Sequence, residues 1–281
     1  MIRIVLLGRT GNILFQYALG TMLARKHGVP LVLDASWYNS EGWSEISHLL
    51  RLPLDATVSR RFSLASRAYR NLTHGNHFWQ FLNVPFLREP TDDQSFNPEF
   101  ADAPADCVLF GYFQTPRYFE PIAGSLRKEI AGLLEQVPLQ SPAGLQSRLA
   151  APTSVAVHVR RTDYLVHPAL QVCDSAYYRQ SIQHMRALVP GARFFIFSDD
   201  PDWCRRQFAG DDTEVVDSGP AAANPLHDLR LMGMASHHII ANSSYSWWAA
   251  WLAQRPGHHV IMPERWIADD SINAPIAEKR W

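Results

Sequence analysis

His158, Arg160, Arg161 and Asp163 lie together in the stretch VAVHVRRTDY (155–164), and their types suit the recognition of phosphate. An apolar run patterned like a buried strand ends there on two guanidinium groups and a carboxylate. In an extended chain alternate residues share a face, so His158 and Arg160 point the same way. The planar fork of arginine donates two parallel hydrogen bonds, which matches it to phosphate oxygens. Asp163 would hold one guanidinium in place. The bland alternative is a structural ion pair at a strand end, and this stretch alone does not choose between them.

A second cluster, ANSSYSWW (241–248), sets Asn242, Ser243 and Ser244 between an apolar run and an apparent helix. Small hydroxyl residues there cap a helix, and the free N–H groups of its first turn make an anion site. An ordinary N-cap explains the residues equally well, and Trp247, Trp248 and Trp251 read as core. In NPLHDLRLMGMASHH (224–238), Asn224 and Pro225 signal a helix start, with Asp228 in the first turn, where a carboxylate suits the helix dipole. His237 and His238 precede a buried strand and read as structural. Gly8 and Gly11 of GRTGN permit a tight turn into a helix with Asn12 at its mouth. Asp34 ends the next apolar run, but the chain contains neither a Gly-x-Gly-x-x-Gly triplet nor a Gly-x-x-x-x-Gly-Lys loop, so a ribose-binding role for Asp34 has little support. Asp199 and Asp200 in FSDDPDW read as a solvated turn before Pro201 or, less simply, as metal ligands. No His or Cys spacing of metal-ligand type occurs elsewhere.

The elements that must position these residues repeat one plan: a short apolar run, a polar cluster, then a helical pattern. IRIVLL leads through GRTGN to ILFQYALGTMLARKHG, in which Leu14, Tyr17, Ala18 and Met22 share a face and Gly28 is the stop. VPLVLD follows as a strand. SVAVHV, RFFIFS and HHIIAN each end in a polar cluster, and HHVIMP is a further strand. CVLFGYF (107–113) reads as a strand and 117–136 as helical. Strands alternating with helices imply parallel sheets covered on both faces, with ligands beyond the carboxyl ends of the strands. The polar clusters fall at those ends. A proline-bearing stretch without period, 137–154, suggests a domain boundary near residue 150.

The 281 residues suffice for two ordinary domains, and 47 % of them are apolar. With 26 basic side chains against 27 acidic ones, the net charge of −1 argues against a nucleic-acid binder. An anionic partner must therefore be met locally, by a few placed arginines. The N-terminus does not read as a secretory signal, and no run approaches the ~20 apolar residues of a membrane span. Cys107, Cys173 and Cys204 suit reduced thiols, so a cytoplasmic setting is expected. The glycosylation patterns at Asn71 and Asn242 are discounted accordingly. Arg60, Arg61, Arg67 and Arg70 read first as a solvated helix face. The alternative is peripheral contact with anionic lipid head groups at the inner membrane, beside a lipid-linked glycan.

Taken together, these blocks resemble the bacterial α-1,2-fucosyltransferases of glycosyltransferase family 11. The family's Gly-Gly-x-Gly-Asn-x-x-Phe-Gln-Tyr-Ala is similar to GRTGNILFQYA, with Arg9 near the second glycine. Its His-x-Arg-Arg-Gly-Asp-Tyr is similar to HVRRTDY, with Thr162 for glycine. FSDD and the long block DLRLMGMASHHIIANSSYSWWAAWL (228–252) follow in the family's order. The resemblance implies an α/β fold of GT-B type, two Rossmann-like domains with parallel sheets facing a cleft. Residues 1–150 would be the acceptor-side domain and 151–281 the GDP-fucose-binding domain. It implies inverting transfer of L-fucose from GDP-β-L-fucose to the 2-hydroxyl of a terminal β-galactoside, with no metal cofactor required. Arg160 matches the arginine that holds the diphosphate, His158 and Asp228 match contacts to the guanosine, and Ser243, Ser244 and the backbone of Tyr245 match a phosphate-binding turn. Ser198, Asp199 and Asn242 join this donor-binding set, and Asn12 matches an asparagine near the reacting groups. The base stays open among Asp163, His167 and Asp174; a loose path assisted by Asn12 is the alternative. Two rival readings of the whole are a transferase using another GDP sugar and a non-catalytic nucleotide- or glycan-binding protein.

Overall fold

Strands and helices alternate to build two five-stranded parallel sheets in the computed structural model, which describes residues 1–36, 38, 40–60, 83–208 and 210–274. The chain divides into two compact units, Met1–Leu133 with Ser271–Trp281, and Leu134–Asp270. Arg61, Arg67, Arg70 and Asn71 lie outside the described residues, whereas the guanidinium of Arg60 stacks 3.8 Å over the Trp43 ring. No helix among the described residues is long and apolar enough to cross a membrane.

The first sheet contains β1 (Ile2–Val5), β2 (Leu31–Asp34), β3 (Thr57–Ser59), β4 (Phe86–Arg88) and β5 (Cys107–Phe110), in the order β3-β2-β1-β5-β4. Its helices are α1 (Thr10–His27), α2 (Ser40–Leu50), α3 (Pro98–Ala101) and α4 (Ala123–Glu135). The predicted face of α1 is buried at Leu14, Tyr17, Ala18 and Met22, and burial extends to nearly every residue from Thr10 to Leu23. It is therefore a core helix rather than an amphipathic one. Gly28 ends it with φ +64°, its N–H reaching the carbonyls of Ala24 and Arg25. The run 107–113 is a strand only to Phe110, because the chain turns sharply at Gly111. The helix expected over 117–136 starts as two 3-10 turns and becomes α-helical only at Ala123, since Pro121 cannot donate a backbone hydrogen bond.

The second sheet contains β6 (Ser154–Val159), β7 (Arg193–Ser198), β8 (Thr213–Val215), β9 (His237–Ile239) and β10 (Val260–Ile261), in the order β10-β9-β6-β7-β8. Its helices are α5 (Leu145–Leu149), α6 (Ser175–Leu188), α7 (Pro201–Gln207), α8 (Pro225–Met234) and α9 (Ser244–Leu252). Val155, Val157 and Val159 pack with Phe194, Ile196, Ile239 and the α6 residues Tyr178, Ile182 and Met185. Trp247, Trp248 and Trp251 are fully buried, as their spacing suggested. Residues 134–150 belong to this unit for identifiable reasons. Arg230 donates to the carbonyl of Val137, His227 meets the backbone of Gln140, and Arg148 pairs with Glu214 at 2.8 Å.

In each sheet the connection reverses direction beside the first strand. The reversal falls between β1 and β5 in the first unit and between β6 and β9 in the second. Such switch points leave a crevice at the carboxyl ends of the strands.

Candidate functional site

The register of β6 on β7 aligns Val159 with Ser198, so Arg160 and Asp199 leave the sheet side by side. Arg160 Nε lies 2.8 Å from Asp163 Oδ1, and its Nη1 lies 3.2 Å from Asp199 Oδ2. Burial works against the charge of Arg160, but its hydrogen bond to Asp163 and the charges of Asp199 and Asp163 outweigh it, so its pKa is raised. Asp199 does more than pair with Arg160. Its Oδ1 accepts the Arg161 N–H at 2.9 Å, and its Oδ2 accepts the Thr162 hydroxyl at 2.6 Å and the Thr162 N–H at 3.3 Å. One carboxylate thus folds the arginine loop. Asp200 caps α7 through the Trp203 N–H and pairs with Arg161 at 3.0 Å, while Arg161 stacks 3.8 Å over Trp203. Ser198 accepts the Asp200 N–H at 3.0 Å within the same turn. The acidic pair read as a solvated turn or metal ligands is in fact the scaffold of the two arginines.

Across the switch point, Ser243 stands at the N-cap of α9, where its hydroxyl makes no capping bond while its backbone is extended. The first-turn N–H groups of a helix have no intrahelical acceptor, and they carry the positive end of the helix dipole. Two tyrosines that follow β6 hold this turn: the Tyr164 hydroxyl donates to the Asn242 carbonyl at 3.1 Å and the Tyr177 hydroxyl to the Ile240 carbonyl at 2.6 Å. The Asn242 amide is buried and donates to the carbonyls of Leu170 and Trp266, so its side chain is structural and closed to glycosylation in the folded chain. His158 is 6 % exposed, stands 5.5 Å from the Tyr245 ring, and has no partner for Nδ1 among the described residues. Burial first, then the Arg160 charge, lowers its pKa to about 4, so the ring is neutral at ordinary pH.

The Tyr245 hydroxyl donates to the carbonyl of Pro225, which joins α9 to the start of α8. There Asp228 Oδ1 accepts the Ser218 hydroxyl at 2.5 Å and faces His227 Nδ1 at 2.9 Å. His158, Arg160, Ser198, Asp199, Asp228, Asn242, Ser243, Ser244 and Tyr245 therefore gather at the carboxyl edge of one sheet. The three base candidates differ. Asp163 is engaged by Arg160, and Asp174 caps α6 through the Tyr177 N–H at 2.8 Å. The exposed His167 side chain makes no hydrogen bond to the described residues.

Asn12 belongs to the first unit, at its own switch point. Its Oδ1 accepts from Gln114 Nε2 at 2.9 Å, and its amide packs over Gly8, where φ is +76°. One turn on, the buried Gln16 donates to the Gly111 carbonyl at 2.8 Å and accepts the Leu7 N–H at 3.2 Å. Asp34 is taken by a buried pair with Arg3 at 2.9 Å, which leaves it structural. Sequence reasoning passed over Gln16, Glu89, Gln114 and His227. For Gln16 a signal existed, because it lies four residues after Asn12 on one helical face.

The model of glycosyl transferase family 11 matches residues 87–281. The chain belongs to this family. Among its relatives, the α-1,2-colitosyltransferase of Escherichia coli is 27 % identical over 98 % of this chain and 96 % of its own length. Galactoside alpha-(1,2)-fucosyltransferase 1 of Sus scrofa is 34 % identical over 88 % of this chain and 64 % of its own length. In structure, the chain is similar to the fucosyltransferase NodZ from Bradyrhizobium, with a TM-score of 0.50 at 14 % identity over 88 % of this chain and 92 % of NodZ. That likeness bears on the fold. The family 11 chain thus has the GT-B type of α/β architecture, with two Rossmann-like units.

Proposed function

We propose that this protein is an inverting fucosyltransferase that moves L-fucose from GDP-β-L-fucose to the 2-hydroxyl of a terminal β-galactoside. The observation that carries the reading is the meeting, at the β6–β9 switch point, of a twice-anchored Arg160 and the uncapped start of α9. The acceptor oxygen attacks the anomeric carbon opposite the diphosphate. The bond from that carbon to the β-phosphate oxygen breaks, and its electron pair stays on GDP. Arg160 and the N–H groups around Ser244 and Tyr245 receive that charge. Preorganised donors of this kind contribute about 2.7–4 kcal/mol each to a transition state. His158 and Asp228 meet the guanosine, and Ser198 and Asp199 act through the arginine loop they brace. His167 takes the acceptor proton, since Asp163 and Asp174 are already spent on Arg160 and on a helix cap. Residues of the first unit, Asn12 among them, serve the acceptor side.

The test is release of GDP from GDP-fucose when a terminal β-galactoside is added, followed by linkage analysis of the product. Loss of turnover in Arg160→Ala with GDP-fucose still consumed by the unaltered protein supports the reading. An Arg160→Ala enzyme as fast as the unaltered one sinks it. A second reading is favoured by the full-length relation to a colitosyltransferase: the transferred sugar is colitose or another GDP-linked sugar. Parallel turnover of GDP-fucose, GDP-colitose and GDP-mannose separates the two. Binding of GDP with no turnover of any donor would point instead to a non-catalytic binding protein.

A further inference from the structure

The chain leaves β5 through a turn that a buried carboxylate builds. Glu89 is 6 % exposed, and its oxygens accept the Tyr112 N–H at 2.6 Å and the Phe113 N–H at 3.0 and 3.1 Å. Phe113 is forced to φ +52°, a left-handed conformation rare for an aromatic residue, and it is locked there by Phe100 and Tyr118 at 5.2 and 6.0 Å. Gly111 admits the approach of Glu89, for a Cβ at this position would lie 2.4 Å from the Glu89 Cβ. Gln16 clamps the Gly111 carbonyl from α1. A buried carboxyl group, a strained aromatic residue and a compulsory glycine together are more than a surface turn needs. Strain held this firmly points to function. What the turn delivers is Gln114, whose Nε2 donates to Asn12 Oδ1 at the β1–β5 switch point.

We infer that Gln114 is a positioning residue that fixes the carboxamide of Asn12, and that Glu89 is the buried anchor that holds Gln114 in place. The inference rests on the proposed acceptor-side role of Asn12. In this arrangement Gln114 holds the Asn12 oxygen and so sets the direction in which the carboxamide faces the reacting groups. The carboxamide stabilises negative charge or orients an acceptor oxygen, and it takes no proton.

A double-mutant cycle tests this, with GDP-fucose as donor and, as acceptor, the terminal β-galactoside that gives the fastest unaltered turnover. Gln114→Ala is expected to lower kcat on the order of tenfold to a hundredfold, with the calorimetric Kd for GDP and the melting temperature unchanged. In an Asn12→Ala background the same change should cost nothing further, because Gln114 acts through Asn12. Gln114→Glu keeps the shape but lacks the amide donor, so it should behave like Gln114→Ala. Unchanged kcat in Gln114→Ala, a full additional loss in the Asn12→Ala background, or a fully active Gln114→Glu enzyme would each overturn the inference while the function proposed above stands. An unaltered protein that turns over GDP-fucose with no β-galactoside would overturn that function, and this inference with it.

Discussion

The two units share a sheet design and differ in what they place at its switch point. In the second unit the loops after β6 and β7 carry charge, two arginines and three aspartates, and a helix start follows β9. In the first unit two neutral amides meet, Asn12 in the first turn of α1 and Gln114 after β5, and the buried Glu89 that follows β4 accepts backbone N–H groups. The charged end suits a partner of high negative charge. The amide pair suits hydroxyl-rich ligands, which are met by directional hydrogen bonds rather than by net charge. The comparison shows that one layout can be tuned for opposite electrostatic tasks through a few strand-end residues.

The heaviest blow to that contrast is Arg160→Ala. Turnover should fall about 10²- to 10³-fold, with less effect on the acceptor KM; equal losses from Asn12→Ala and Arg160→Ala would erase the distinction between the units. Asp199→Ala comes next, with an expected loss of about tenfold to a hundredfold from misplacement of Arg160. The same change should loosen the arginine loop, read as faster hydrogen exchange at the Arg161 and Thr162 amides. Gly111→Ala probes the amide pair. Its Cβ would collide with Glu89, so a chemical denaturation midpoint should report destabilisation of about 1–3 kcal/mol.

The smallest expected effect is acid sensitivity between the ordinary histidine range and about pH 4, and there it should appear first in the second unit. His238 donates from Nε2 to the Met232 carbonyl and faces His258 Nε2 from Nδ1 at 2.9 Å. Burial, then the facing His258, lowers His238 to about 3; burial, then Arg255, lowers His258 to about 4. Their folded-state pKa values lie below the unfolded value of ~6.5. The unfolded chain therefore binds more protons below that pH, and stability present above it is lost as the pH falls towards about 4. Amide exchange in β9 and β10 should speed up over this interval before it does in β1 and β5. Uniform acceleration across both sheets would remove this difference between the units.

Much of this contrast was legible in the sequence, because strand ends announce themselves where apolar runs meet polar clusters. The arginine pair, the serine turn and the burial of the tryptophans could be read from adjacent residues. The task of Asp199 could not, since it depends on Val159 lying opposite Ser198, a register that no local pattern encodes. Glu89 and Gln114 were hidden for a related reason. They are brought together by β4, an edge strand of three residues too short to show alternation, and by a turn whose left-handed residue is Phe113 rather than glycine. The boundary read near residue 150 follows the proline-bearing stretch. Folded contacts instead attach 134–150 to α8, through side chains far away in sequence.

The chain returns to the first unit at its end, where Asn273 pairs with Asp92, Asp93 and Gln94. The entire second unit is therefore an insertion within the first. On the ribosome, the unit that starts earliest cannot close this last seam until residues 134–270 have been made. Assembly order thus runs opposite to chain order at that edge, and a ribosome stalled anywhere inside the insert would leave Asp93 waiting for its strap.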